Sequence, residues 1–115
     1  MTPAVHGLID YVFSGILLAA PSTMGLNAKA TKTYQALGTG FLLINALTDT
    51  PAAIKRVISF RGHQQTDALF LAGLSLLSLT GPIRHHKPTL GFHLGFLGTA
   101  VTHYLLTDYR AGSPS

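Results

Sequence analysis

The chain has 115 residues, enough for one compact unit, and only 10% of them are charged, where a soluble domain carries about a quarter. With no cysteine there is no disulfide framework, no thiolate metal site and no cysteine nucleophile. The net charge of +4 would suit nucleic acid, but the eight Lys and Arg stand in short clusters between long uncharged stretches, so the expected partner is a lipid bilayer and not nucleic acid.

Four apolar stretches follow one another, each close to the ~20 residues that cross a hydrocarbon layer, the second only just. The first runs from Pro3 to Ala20, with Thr2 placed to cap it and Pro21-Ser22-Thr23 expected to close it. Residues 1–5 carry no Lys or Arg, so this stretch is read as part of the mature protein and not as a secretory leader. The second covers Lys32 to Thr48 and stops at Thr50-Pro51. The segment Pro51 to Arg61, with Thr50 before it, reads either as a short interfacial helix or as a basic loop. The third stretch runs from Thr66 to Gly81 and the fourth from Pro88 to Thr107. Gly15/Ala19, Ala36/Gly40, Ala68/Ala72 and Gly91/Gly95 have the spacing that lets helix backbones approach closely in lipid.

The chain repeats itself. His6-Gly-Leu-Ile-Asp10 at the head of the first stretch matches His63-Gln-Gln-Thr-Asp67 near the head of the third, and Leu47-Thr48-Asp49 matches Leu106-Thr107-Asp108. This predicts an all-α, integral membrane four-helix bundle in one domain, residues 1–115. It is made of two tandem helical hairpins, about 3–49 and 63–110, joined by an interfacial loop, 50–62. Because each hairpin crosses and returns, all four acids, Asp10, Asp49, Asp67 and Asp108, fall near one membrane face. The Lys and Arg of the loops divide evenly between the two faces and leave the absolute orientation open.

His6 and Asp10 are four residues apart, as are His63 and Asp67, so each pair shares one helix face and can either hydrogen-bond internally or offer two ligands to one ion. Two imidazoles and two carboxylates suit zinc or another first-row divalent cation. His6, Asp10, His63 and Asp67 are therefore the candidate metal ligands, with Asn45, Asp49, His103, Tyr104 and Asp108 as a supporting cluster. The arrangement resembles the paired intramembrane sites of cation diffusion facilitators, which also draw H-x-x-x-D from two helices. Blander roles stand beside this one: Asp67 in the first turn of its helix, Asp49 capping the loop helix, Asp108 pairing with Arg110. Asp10 is different, since it lies inside a helix that starts about two turns earlier, where an acid needs a partner. His103 can join the cluster or serve as a haem ligand, although haem carries less weight, while His93 is about 15 Å further along and cannot share the site. His85 and His86, beside Arg84 and Lys87, read as a solvated basic loop. No phosphate-binding loop, nucleophile elbow or H-E-x-x-H motif occurs, so no catalytic residue is nominated and an enzyme is not the favoured reading.

The run Val5-His6-Gly7-Leu8-Ile9-Asp10-Tyr11-Val12, followed by Gly15 to Pro21 and a second H-x-x-x-D hairpin, resembles small bacterial four-span membrane proteins of uncharacterised function allied to the SPW-repeat family. The Ser-Pro-Trp signature of that repeat stands here as Ala20-Pro21-Ser22. The resemblance implies a multi-pass protein of the bacterial inner membrane and assigns no activity. Two functional expectations result: a His/Asp cluster that binds a divalent cation or relays protons, or a structural or accessory membrane protein whose His/Asp pairs only hold helices together. Homo-oligomerisation is compatible with either.

Overall fold

Three of the long helices begin at a short polar side chain that takes up a free backbone amide, the local signal that starts a helix. Thr2 accepts from the amide of Val5, Asn27 from that of Ala30 and Ser59 from that of Gly62. The structure is a computed structural model that describes residues 2–51 and 53–107, and every regular element among them is helical: α1 Pro3–Thr23, α2 Ala28–Ala46, α3 Phe60–Leu77, the short α4 Gly81–Arg84, and α5 Lys87–Leu106. The all-α expectation holds to this extent. Helices α1 and α3 begin 57 residues apart, matching the offset of the two H-x-x-x-D motifs, and α2 and α5 begin 59 apart, matching the two Leu-Thr-Asp motifs.

Several boundaries differ from the expected ones. Helix α1 runs through Pro21, where a stop was expected, and ends at Thr23; Gly25, at φ 68°, then supplies the left-handed turn into α2. Helix α2 starts at Ala28 and not at Lys32, because Asn27 is its cap. Helix α3 starts at Phe60, well before Thr66, because Ser59 caps it; Asp67 therefore sits in its third turn, and the first-turn dipole role is excluded. The interfacial helix does not form among the described residues of the loop. Instead, the amides of Ile54 and Lys55 bond the carbonyl of Ala46, and those of Val57 and Ile58 bond that of Leu47. The loop thus folds back over the end of α2 and satisfies the carbonyls a helix end leaves open.

The expected small-residue contacts are also rearranged. Gly15, Gly40, Gly91 and Gly95 have no side-chain or neighbouring-helix atom where a Cβ would point, and Ala19, Ala36, Ala68 and Ala72 are exposed. The close approach is instead at Gly38 of α2, where an added Cβ would lie 2.9 Å from the Leu17 Cβ of α1. The hairpin α1–α2 closes on that glycine.

By length and hydropathy, one helix among the described residues, α1, is apolar enough to cross a membrane. Helices α2 and α3 fall short because their first turns are polar (Lys29, Thr31 and Lys32; Arg61, Gln64 and Gln65), and α5 because Lys87, His93 and His103 dilute its leucines. Yet the outer faces of all four long helices are apolar: Leu8, Leu43, Leu69 and Leu105 are between 58 and 74% exposed. The polar residues lie inside. Two buried polar layers, one around His6 and Asp10 and one around Tyr34 and His93, are separated by Phe13, Phe41, Phe70, Leu71, Phe96 and Ala100.

Candidate metal centre

His6 is the fourth residue of α1 and Asp10 the eighth; His63 and Asp67 hold the same places in α3. One helical turn separates the members of each pair, so both side chains of each helix reach the bundle interior at one depth. All four residues are buried, His6, Asp10 and His63 completely. The His6 Nε2 lies 3.2 Å from the His63 Nε2, 2.9 Å from Asp10 Oδ2 and 3.1 Å from Asp67 Oδ2. The His63 Nε2 lies 2.8 Å from Asp10 Oδ2 and 3.2 Å from Asp67 Oδ1. One ligand atom from each of the four residues falls within 4.8 Å of the others. The five separations that involve an imidazole nitrogen, 2.8–3.2 Å, are a little under the edges, about 3.3 Å, of a tetrahedron whose centre is ~2.0–2.1 Å from nitrogen and oxygen ligands.

The other ring nitrogens are held as donors. The Thr107 hydroxyl donates to the carbonyl of His103 at 2.7 Å, so its single proton is committed, and its oxygen accepts from the His6 Nδ1–H at 2.7 Å. Thr48 repeats this for the other half: its hydroxyl donates to the carbonyl of Ile44 at 2.6 Å and accepts from the His63 Nδ1–H at 2.8 Å. Each imidazole is held by the threonine that closes the opposite hairpin. With Nδ1 committed as a donor, Nε2 is the atom of each ring that faces the carboxylates; there it either donates a proton to them or, deprotonated, offers its lone pair to a metal ion.

His103 joins the cluster as a third imidazole. Its Nε2–H donates to Asp10 Oδ1 at 2.8 Å, and its ring stacks on His6 with centroids 4.1 Å apart. That stacking leaves no slot for a porphyrin between the two rings, so the geometry does not suit haem held by His6 and His103. Phe60, the first residue of α3, covers the imidazole side, edge-on to His6 at 5.5 Å and stacked near His63 at 6.0 Å.

The supporting residues separate. Asn45 is fully buried, but its amide donates to the carbonyl of Gly7 at 2.8 Å, so it clamps α2 to α1. Tyr104 is half-buried and borders a small cavity beside the carboxylates. Asp49 is exposed and pairs loosely with Arg56 at 3.7 Å, so it neither caps a loop helix nor enters the cluster. Asp108 lies outside the described residues. His93 stays apart, as its distance along α5 required: it accepts from the Tyr34 hydroxyl at Nδ1 and donates from Nε2 to the carbonyl of Leu74. The residues that sequence reasoning missed are Thr48 and Thr107. The signal was present in the repeated Leu-Thr-Asp, where attention to the acid concealed the hydroxyl.

Compared with protein-family models, with curated proteins and with solved structures, the chain matches none. The functional reading therefore rests on the geometry of these side chains.

Proposed function

We propose that this chain is a small multi-pass membrane protein whose four long helices cross the bilayer. Near one face, His6, Asp10, His63 and Asp67 hold a divalent first-row cation such as zinc. The observation that carries the metal reading is the convergence of two inner imidazole nitrogens and two carboxylates on one point, with each outer nitrogen held by a threonine. In a buried pocket, four such atoms so close together need positive charge among them, as protons on the imidazoles or as a metal ion. A divalent cation supplies that charge and satisfies all four ligands at once.

The membrane reading is supported by the distribution of side chains. Helices of 18 to 21 residues extend about 27–32 Å, matching a hydrocarbon layer of ~30 Å. Every Lys and Arg among the described residues lies in a loop, near the start of a long helix or, for Arg84, at the end of the short α4, while exposed leucines line the helix bodies. Proton relay across the bilayer has less support, because Phe13, Phe41, Phe70, Leu71, Phe96 and Ala100 separate the two polar layers.

The test is metal analysis of the protein extracted from membranes in detergent. About one zinc or other divalent ion per chain is expected, lost in His6→Ala and in His63→Ala. If the chain instead partitions into aqueous extract without detergent, the membrane reading fails. If it is recovered in detergent but takes up no divalent ion on dialysis, the alternative stands, in which these groups are protonated hydrogen-bond partners that fix helix register.

A further inference from the structure

The metal centre is closed on its imidazole side and open on its carboxylate side. Phe60, Thr48 and Thr107 cover the backs of His6 and His63, and neither imidazole borders the adjoining cavity. That cavity, about 20 Å³, is bordered by Asp10, Asp67 and His103 at its polar end and walled by Phe41 and Phe70, whose rings stack 4.8 Å apart. A site needs roughly 10–15 Å³ and two or more polar partners to hold one water, and both conditions are met here. His103, only 7% exposed, gives its Nε2–H to Asp10, and its Nδ1 has no hydrogen-bond partner among the described residues. Four protein ligands alone make a closed zinc site, but the ion can expand to five-coordinate where space beside it admits a further ligand.

Building on the metal reading, we propose that the bound cation keeps, beside its four protein ligands, a fifth and exchangeable coordination position facing this cavity. The position takes water or hydroxide at rest and a small monodentate anion in competition. The walls set the size limit. Phe41, Phe70 and Ala100 line the space, so on this proposal their side chains are the ones that limit what can enter.

Cobalt(II) in place of zinc reports this directly, since its visible spectrum responds to the number and kind of its ligands. In the detergent-solubilised full chain loaded with one cobalt per molecule, azide is expected to shift the visible bands saturably, while imidazole does not. In Phe70→Ala, which widens the cavity, imidazole should shift them as well. In Ala100→Leu, or in Ala100→Val if the larger side chain prevents folding, cobalt should still bind and the azide response should be lost. Stoichiometric cobalt whose spectrum azide cannot move overturns the inference and leaves a closed, four-ligand site. No cobalt uptake overturns the metal reading itself and this inference with it.

Discussion

The two buried polar layers use the same residue types and differ in how those residues are partnered. In the layer around His93 every atom has one assigned bond: the Tyr34 hydroxyl donates to Nδ1, and the Nε2–H donates to the carbonyl of Leu74. In the layer around His6 each outer nitrogen is assigned to one threonine and Asp10 Oδ1 to His103, while the inner nitrogens and three carboxylate oxygens, Asp10 Oδ2 and both of Asp67, crowd together. A closed set of donors and acceptors is complete as it stands and holds helices together. A convergent set is complete only with positive charge inside it, carried by protons or, on the metal reading, by a cation. Buried polar residues are thus to be judged by whether their bonds close among themselves, and burial alone does not distinguish structure from function.

The sharpest way to break this comparison is to remove one member of the convergent layer. Asp10→Ala or His63→Ala should abolish metal binding and destabilise the fold by about 3–5 kcal/mol, because the remaining buried groups lose their counter-charge. Thermal unfolding with and without zinc reads both effects. Added zinc should raise the melting temperature of the parent chain and leave the variant unchanged. In the parent, the apparent zinc affinity should fall as pH is lowered, since protons compete for the same nitrogen and oxygen lone pairs. A zinc-induced stabilisation that survives in both variants would mean that the ion binds elsewhere.

The closed layer gives the complementary result. Tyr34→Phe leaves the His93 Nδ1 buried without a donor and should cost about 1–3 kcal/mol while leaving zinc content at the parental level. Loss of zinc in this variant would join the two layers into one functional unit and defeat the distinction between them.

Between these extremes lie the threonines. Thr48→Val or Thr107→Val removes an acceptor from an imidazole that is not itself altered, and outer-sphere partners of this kind are worth roughly 10–100-fold in metal affinity. Weaker zinc binding with an intact fold is expected, with Thr→Ser at the same positions restoring it. Equal losses at the two positions would support the exchange of orienting groups between hairpins.

How much of this was legible in the chain depends on the range of the interaction. The H-x-x-x-D pairs were readable because four residues are one helical turn, a local rule that needs no knowledge of the partner helix. The 57-residue and 59-residue offsets were readable as repetition, and they carried the equivalence of α1 with α3 and of α2 with α5. The threonine bonds were not readable, because a hydroxyl at a helix end becomes an orienting group only when the opposite hairpin brings an imidazole to it. The early start of α3 was missed for a different reason. Ser59-Phe60-Arg61 resembles interfacial loop as well as it resembles a cap followed by a first turn, and the cap decided. Likewise, Gly38 could not be told from the other helical glycines until α1 was laid against it.

Asp49 supplies the smallest effect and a control on the repeat itself. It follows Thr48 directly, and its counterpart in the second hairpin follows Thr107, so sequence symmetry alone places it with the ligands. Its side chain nevertheless turns outward, about half exposed, toward an equally accessible Arg56. An exposed pair at this distance contributes at most about 1 kcal/mol, because water screens both charges. Asp49→Asn should therefore leave zinc stoichiometry unchanged and barely move the unfolding midpoint. The contrast with Asp10→Ala then follows from burial and convergence, since both residues are aspartates near the same end of the bundle. A zinc loss in Asp49→Asn comparable with that in Asp10→Ala would mean that the repeat motif, and not the inward-facing subset of its residues, defines the site.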